Sequence, residues 1–252
     1  MNIFLLAILA HLLSDFVLQP KGMIDLKRNN CLKGYFFHGV IVFLTLVLLS
    51  WFFNLRLVLI YSFLVTAVHL IVDWAKEGLL RLKTGPVFEL NLFFIDQLLH
   101  FSAIYLIGMR VFGPSLFTVF TELEQPVFLE SARLQGVIAS PYLLYLLIFY
   151  IVVIFAGAVM LEKLLKILNY QGGDNHLPSG RYIGMVERAL ILTLVVFGSV
   201  SSLALVLAAK SLARFAKLSD QQFAEYYLFG TLNSMLIALI AGLILRQLLI
   251  IA

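Results

Sequence analysis

Long apolar blocks dominate this chain, and short polar stretches separate them. A crossing of a hydrocarbon layer needs about 20 apolar residues. On that measure the blocks predict seven spans, at 2–19, 34–54, 57–75, 92–112, 141–164, 185–209 and 226–250. The second and third spans meet at a tight turn around Asn54 and Arg56. The expected fold class is all-α, a polytopic transmembrane helix bundle. Three segments follow: a four-helix membrane core over 1–112, an extramembrane connection over 113–140, and three further transmembrane helices over 141–252. The connection holds Glu122, Glu124 and Glu130, with Pro114, Pro126 and Pro141 as breakers, and is expected to carry a short interfacial helix. The stretch QGGDNHLPSGR at 171–181 reads as an irregular solvent-facing loop.

Composition agrees with the pattern. The chain is 62% hydrophobic and only 13% charged, against about 25% charged residues in a soluble domain. It has too little polar surface to cover a water-soluble globule, so it is expected to be an integral membrane protein. The net charge of +4 is then read as topology rather than as nucleic-acid binding, because basic residues of membrane proteins collect in cytoplasmic loops. The single cysteine, Cys31, excludes an internal disulfide. The first apolar run lacks a basic leader and a small-residue cleavage site, and is read as a retained span of a multi-pass inner-membrane protein.

Threading seven spans places eleven Lys and Arg residues on one side and six on the other. The richer side includes Lys21, Lys27, Arg28, Lys163, Lys166, Arg181 and Arg246; the poorer side includes Arg56, Arg110, Lys210 and Arg214. The richer side is taken as cytoplasmic, with the N-terminus outside and the C-terminus inside.

Polar residues inside the spans are the informative exceptions. The first span contains HLLSD, with His11 and Asp15. The third ends HLIVDWAK, with His69 and Asp73, and the fourth begins IDQLLH, with Asp96 and His100. Each pair is spaced i, i+4 and so lies on one helical face, one turn apart. His38 opens the second span. In an up-down-up-down bundle all seven residues fall at one membrane face. A charge at mid-membrane costs about 2.5–3.5 kcal/mol on insertion scales, so something should offset the aspartates. Imidazole with carboxylate is a ligand set for zinc, and also for manganese or iron. A site of one or two divalent ions is therefore expected on His11, Asp15, His38, His69, Asp73, Asp96 and His100. The alternatives are hydrogen bonds that brace the helices and a proton or ion path.

Neighbouring residues add candidates. Gln19, Gln97 and Ser14 flank the ligand pairs as donors or as ordinary interfacial polar groups. Lys76 lies two turns past His69 on the same face, either snorkelling or meeting an anionic substrate. Glu187 and Arg188 open the sixth span; with Arg181, Arg188 is a candidate phosphate clamp, or else a snorkelling residue.

The residues HLLSDFVLQP, KGMIDLK, His38, HLIVDWAK and IDQLLH resemble a bacterial membrane-protein family, domain of unknown function 3307. That resemblance implies a polytopic membrane protein and no assigned activity. The spaced His and Asp residues are also similar, more loosely, to bacterial inner-membrane metal-dependent hydrolases. The pair spacing alone is similar to that of the all-helical zinc phospholipase C and nuclease group.

Three functions remain. The first is a metal-dependent hydrolase of a phosphoester or lipid-linked substrate, in contact with membrane lipid. The second is a metal or ion transporter. The third is a structural or regulatory membrane subunit with a non-catalytic polar cluster. H-E-x-x-H and G-x-S-x-G are absent, so zincin and serine-hydrolase readings have no support.

Overall fold

The computed structural model describes residues 2–113, 140–168 and 178–251. Every element among them is helical. The expected interfacial helix of the 113–140 connection and most of the 171–181 loop, with His176, lie outside the described residues. The chain divides into two compact units, residues 1–148 and 149–251.

In the first unit, α1 (Ile3–Leu12) starts at Asn2, whose Oδ1 accepts from the Phe4 amide at 3.0 Å. It continues without interruption into a π-helical segment, Leu13–Val17. Pro20, in extended conformation, then starts α2 (Lys21–Arg28), which turns 86° from the first helix. Next come α3 (Leu32–Ser50), α4 (Leu55–Leu82) and α5 (Pro86–Phe112). The tight turn around Asn54 is present: its side chain accepts from the amides of Arg56 at 3.1 Å and Leu57 at 3.3 Å, capping α4. Pro86 supplies the fixed φ suited to the first turn of α5.

The four long helices divide along their length into an apolar half and a polar half. Ile3, Ala7 and Ala10 of α1 pack with Val42 and Leu46, Val58, Tyr61 and Val65, and Ile104 and Phe112. The Tyr61 hydroxyl there donates to the Ile104 carbonyl at 3.1 Å. The His and Asp residues occupy the opposite half. Phe36, Leu48, Phe63, Leu98 and Leu106 point outward and are exposed. Apolar faces of that extent match lipid rather than water.

Helix α2 is the element the hydrophobic pattern did not show. Its polar face carries Lys21, Asp25 and Arg28, while Lys27 turns inward and is buried. It lies directly on α3 because Gly34 has no side chain: a Cβ there would sit 2.8 Å from the Leu26 Cβ and 2.9 Å from the Lys27 amide nitrogen. The Lys27 carbonyl accepts from the Tyr35 hydroxyl at 3.3 Å, and the Arg28 carbonyl accepts from Arg81 Nη1 at 3.3 Å.

In the second unit, α6 (Pro141–Ile151), begun in the first unit, runs through a π segment, Val152–Ala156, into α7 (Gly157–Lys166). Then follow α8 (Pro178–Val196), α9 (Leu203–Arg214) and α10 (Gln221–Ile251). Among the described residues five helices are long and apolar enough to cross a membrane, or six if the bent N-terminal pair is one span. A multi-pass membrane protein fits this.

The expected span over 185–209 is not one helix. It stops at Gly198, whose φ is +77°. The Ser199 amide donates to the Leu194 carbonyl at 2.8 Å and the Gly198 amide to the Val195 carbonyl at 3.0 Å, the paired bonds of a Schellman stop. α9 then folds back, and Lys210 Nζ reaches Glu187 Oε2 at 2.5 Å. Gly198 lies against the Arg246 guanidinium at the other end of α8. Lys210 therefore lies at the Glu187 end of α8 and Arg246 at its Gly198 end.

Candidate functional site

The layer is assembled from four elements of the first unit. α1 with its π segment supplies His11 and Asp15, α3 supplies His38, α4 supplies His69 and Asp73, and α5 supplies Asp96 and His100. All seven expected ligands lie within this one cluster. His11, His38, His69, Asp73, Asp96 and His100 are buried, and the Asp15 side chain is only 9% exposed.

At its centre three donor atoms approach one another. His38 Nε2 is 2.9 Å from His69 Nε2. Asp15 Oδ1 is 3.3 Å from the first and 3.2 Å from the second. The Asp15 oxygen is buried and has no aligned hydrogen-bond donor. Asp73 Oδ2 stands 3.5 Å from His38 Nε2 and 3.8 Å from His69 Nε2. A tetrahedral ion with donors at about 2.0–2.1 Å separates those donors by about 3.3 Å. The side chains therefore fit a divalent cation by chemistry and by spacing.

A second carboxylate pair lies beside it. His100 Nε2 is 3.4 Å from Asp96 Oδ1 and 3.8 Å from Asp73 Oδ1. The His100 ring stacks on His69 with centroids 4.0 Å apart. Neither His100 nitrogen has an aligned hydrogen-bond partner, nor does His11 Nδ1. A void of about 10 Å³ lies between His11, His69 and His100 and the apolar half, about the space one water needs.

The flanking residues take definite roles. Gln19 Nε2 meets His38 Nδ1 at 3.3 Å. Gln97 meets His11 Nε2 with its oxygen at 3.2 Å and donates from Nε2 to Asp96 Oδ2 at 3.1 Å. Such outer contacts fix ring orientation. Ser14 instead turns onto its own helix, donating to the carbonyls of Ala10 and His11 at 2.9 Å. Lys76 Nζ bridges Asp73 Oδ1 and Asp96 Oδ2, each at 3.1 Å.

Lys27 is the site residue that sequence reasoning missed. Its Nζ is 2.5 Å from Asp73 Oδ2, both groups buried. The available signal was KGMIDLKR after a proline, a short amphipathic helix placed beside the third span.

Arg181, Glu187 and Arg188 belong to the second unit and have surroundings of their own. Arg181 is exposed and Glu187 pairs with Lys210. Arg188 is fully buried: Nε donates to the Val153 carbonyl at 2.8 Å, Nη2 to the Ile154 carbonyl at 2.9 Å, and Nη1 to Ser234 Oγ at 3.4 Å. Those carbonyls belong to the π segment, which accounts for the arginine without a phosphate.

No curated protein and no solved structure matches the chain. One family model does, that of a protein of unknown function, DUF3307, over residues 3–126. The match brings no membrane-bound hydrolase with it. It spans every residue of the His/Asp layer and both lysines that enter it. Residues 3–126, a little under half of the chain and including the helices that build the site, are thus similar to the DUF3307 family.

Proposed function

We propose that the first unit is a membrane-embedded metal centre that hydrolyses a phosphoester or a lipid-linked substrate. The observation that carries this reading is the approach of His38 Nε2, His69 Nε2 and Asp15 Oδ1 to within 2.9–3.3 Å of one another, from three different elements. His38, His69 and Asp15 would hold the ion, zinc by preference and manganese or iron next. Three protein ligands leave a fourth position for water, the pattern of catalytic zinc sites. Bound there, the ion would supply activation of that water near neutral pH.

The remaining residues then divide the work. Gln19 and Gln97 orient the His38 and His11 rings. His100, whose Nε2 lies 3.4 Å from Asp96 Oδ1, is the group that accepts a proton. Lys76, with a side chain 22% exposed, is the cation that an anionic substrate group meets first. The layer lies toward one end of the bundle rather than at its middle, which favours hydrolysis over the midplane site of a transporter.

The test uses the full chain purified in detergent without chelator. Wild type is expected to hydrolyse at least one member of a panel of phosphomonoesters, phosphodiesters and lipid-linked phosphates. Chelation should abolish the activity, zinc should restore it, and Asp15→Ala should lack it. A metal-loaded protein inert across the panel would retire the hydrolase and leave a structural metal.

A further inference from the structure

Seven candidate ligands suggest room for two ions, but the charges in the layer are unevenly distributed. Lys76 Nζ sits 3.1 Å from Asp73 Oδ1 and 3.1 Å from Asp96 Oδ2. Lys27 Nζ takes the other Asp73 oxygen at 2.5 Å. The donors of the Asp73, Asp96 and His100 group thus already surround an ammonium. Asp15 differs: among the described residues its ion-pair partners are imidazoles, with no lysine or arginine. Its Oδ1 is buried and lacks an aligned donor.

The charge balance points the same way. Counted over the three aspartates and the two lysines that pair with Asp73 and Asp96, with the imidazoles uncharged, the net charge is a single negative one. One divalent ion turns that into a single positive charge. Two ions would leave three, buried among apolar helices where uncompensated charge is strongly disfavoured.

Resting on the reading above, we infer that the layer takes one divalent cation, on Asp15, His38 and His69, and that Lys76 stands where a second ion would bind. In two-metal enzymes the second ion sits about 3.5–4 Å from the first and stabilises developing charge on the substrate. Lys76 provides a fixed positive charge for the same purpose, independent of metal supply. Lys27 balances the charge of Asp73 through its other oxygen, Oδ2.

The experiment counts metal by mass spectrometry on full-length protein saturated with zinc and then desalted in detergent. Wild type should retain one equivalent. Lys76→Ala, which frees two facing carboxylate oxygens, should retain two, and Lys76→Arg should retain one. Adding Asp96→Asn to Lys76→Ala should return the count to one. Wild type with two equivalents, or a monodisperse Lys76→Ala with one, overturns the inference while leaving a metal centre in place. Should Lys76→Ala not fold, single substitutions in otherwise native protein decide the matter. Asp96→Asn is expected to keep the one equivalent and Asp15→Asn to lose it; the reverse overturns the inference. Wild type with none overturns the metal reading and this inference together.

Discussion

Lys27 has a buried carboxylate as its ionic partner, and Asp73 has both lysines. Removing one member of a buried pair leaves the other uncompensated, which costs about 3–5 kcal/mol. Lys27→Met is therefore expected to lower the thermal midpoint in detergent, followed by the fluorescence of Trp51 and Trp74, and Lys27→Arg to restore most of it. Equal midpoints for Lys27→Met and wild type would mean that Lys76 alone balances Asp73. Arg188 invites a parallel test. Each hydrogen bond from a charged donor contributes about 1.5–3 kcal/mol, and a lysine cannot reproduce the planar fork across two π-segment carbonyls. Arg188→Lys should lose about one such bond, read as a fall in denaturant midpoint; an unchanged midpoint would mean that those carbonyls need no donor. The His/Asp pairs were legible in the sequence because a turn separates their members and threading alone gives their depth. Lys27 was not, because 46 residues separate it from Asp73. Arg188 looked like an anion clamp because its partners are backbone carbonyls, which carry no sequence signal.

Among the elements, α2 is the one that brings Lys27 to the layer. Its seat depends on Gly34, where even a methyl group would press on Leu26 and the Lys27 backbone. Cys31, the only cysteine, lies half-buried between α2 and α3 and reports on that seat. Gly34→Ala should displace α2 and raise the maleimide labelling rate of Cys31 several-fold over wild type; an unchanged rate would show that α2 accommodates the methyl. The fold-back of α8 onto α9 rests on Gly198 in the left-handed region, a conformation that costs other residues about 1–2 kcal/mol. The run from 185 to 209 reads as one span because its hydropathy is continuous. The stop lies in FGSVSS, where a glycine and three serines outweigh the apolar residues around them through backbone conformation and hydrogen bonding, which hydropathy does not register.

For the whole molecule, the apolar half of the first bundle provides packing and the polar half gathers the His, Asp and Lys side chains. The packing half was readable from helix lengths and turns. The donor geometry was not, because ring orientation depends on contacts with Gln19 and Gln97 that spacing alone does not fix. If the polar half binds an ion, folding and binding are linked. A ligand at 100 times its dissociation constant stabilises the folded state by about 2.7 kcal/mol. Zinc should then raise the thermal midpoint of wild type but not of Asp15→Ala, and equal shifts in both would indicate binding elsewhere. The most direct measurement is the metal content of the chelator-free wild type beside a His38→Ala/His69→Ala double variant of matched elution profile. One equivalent of zinc, manganese or iron in wild type and none in the variant is the expected result. No metal in a well-folded wild type, even after reloading, would contradict the metal centre and leave the layer as a polar network that braces the helices.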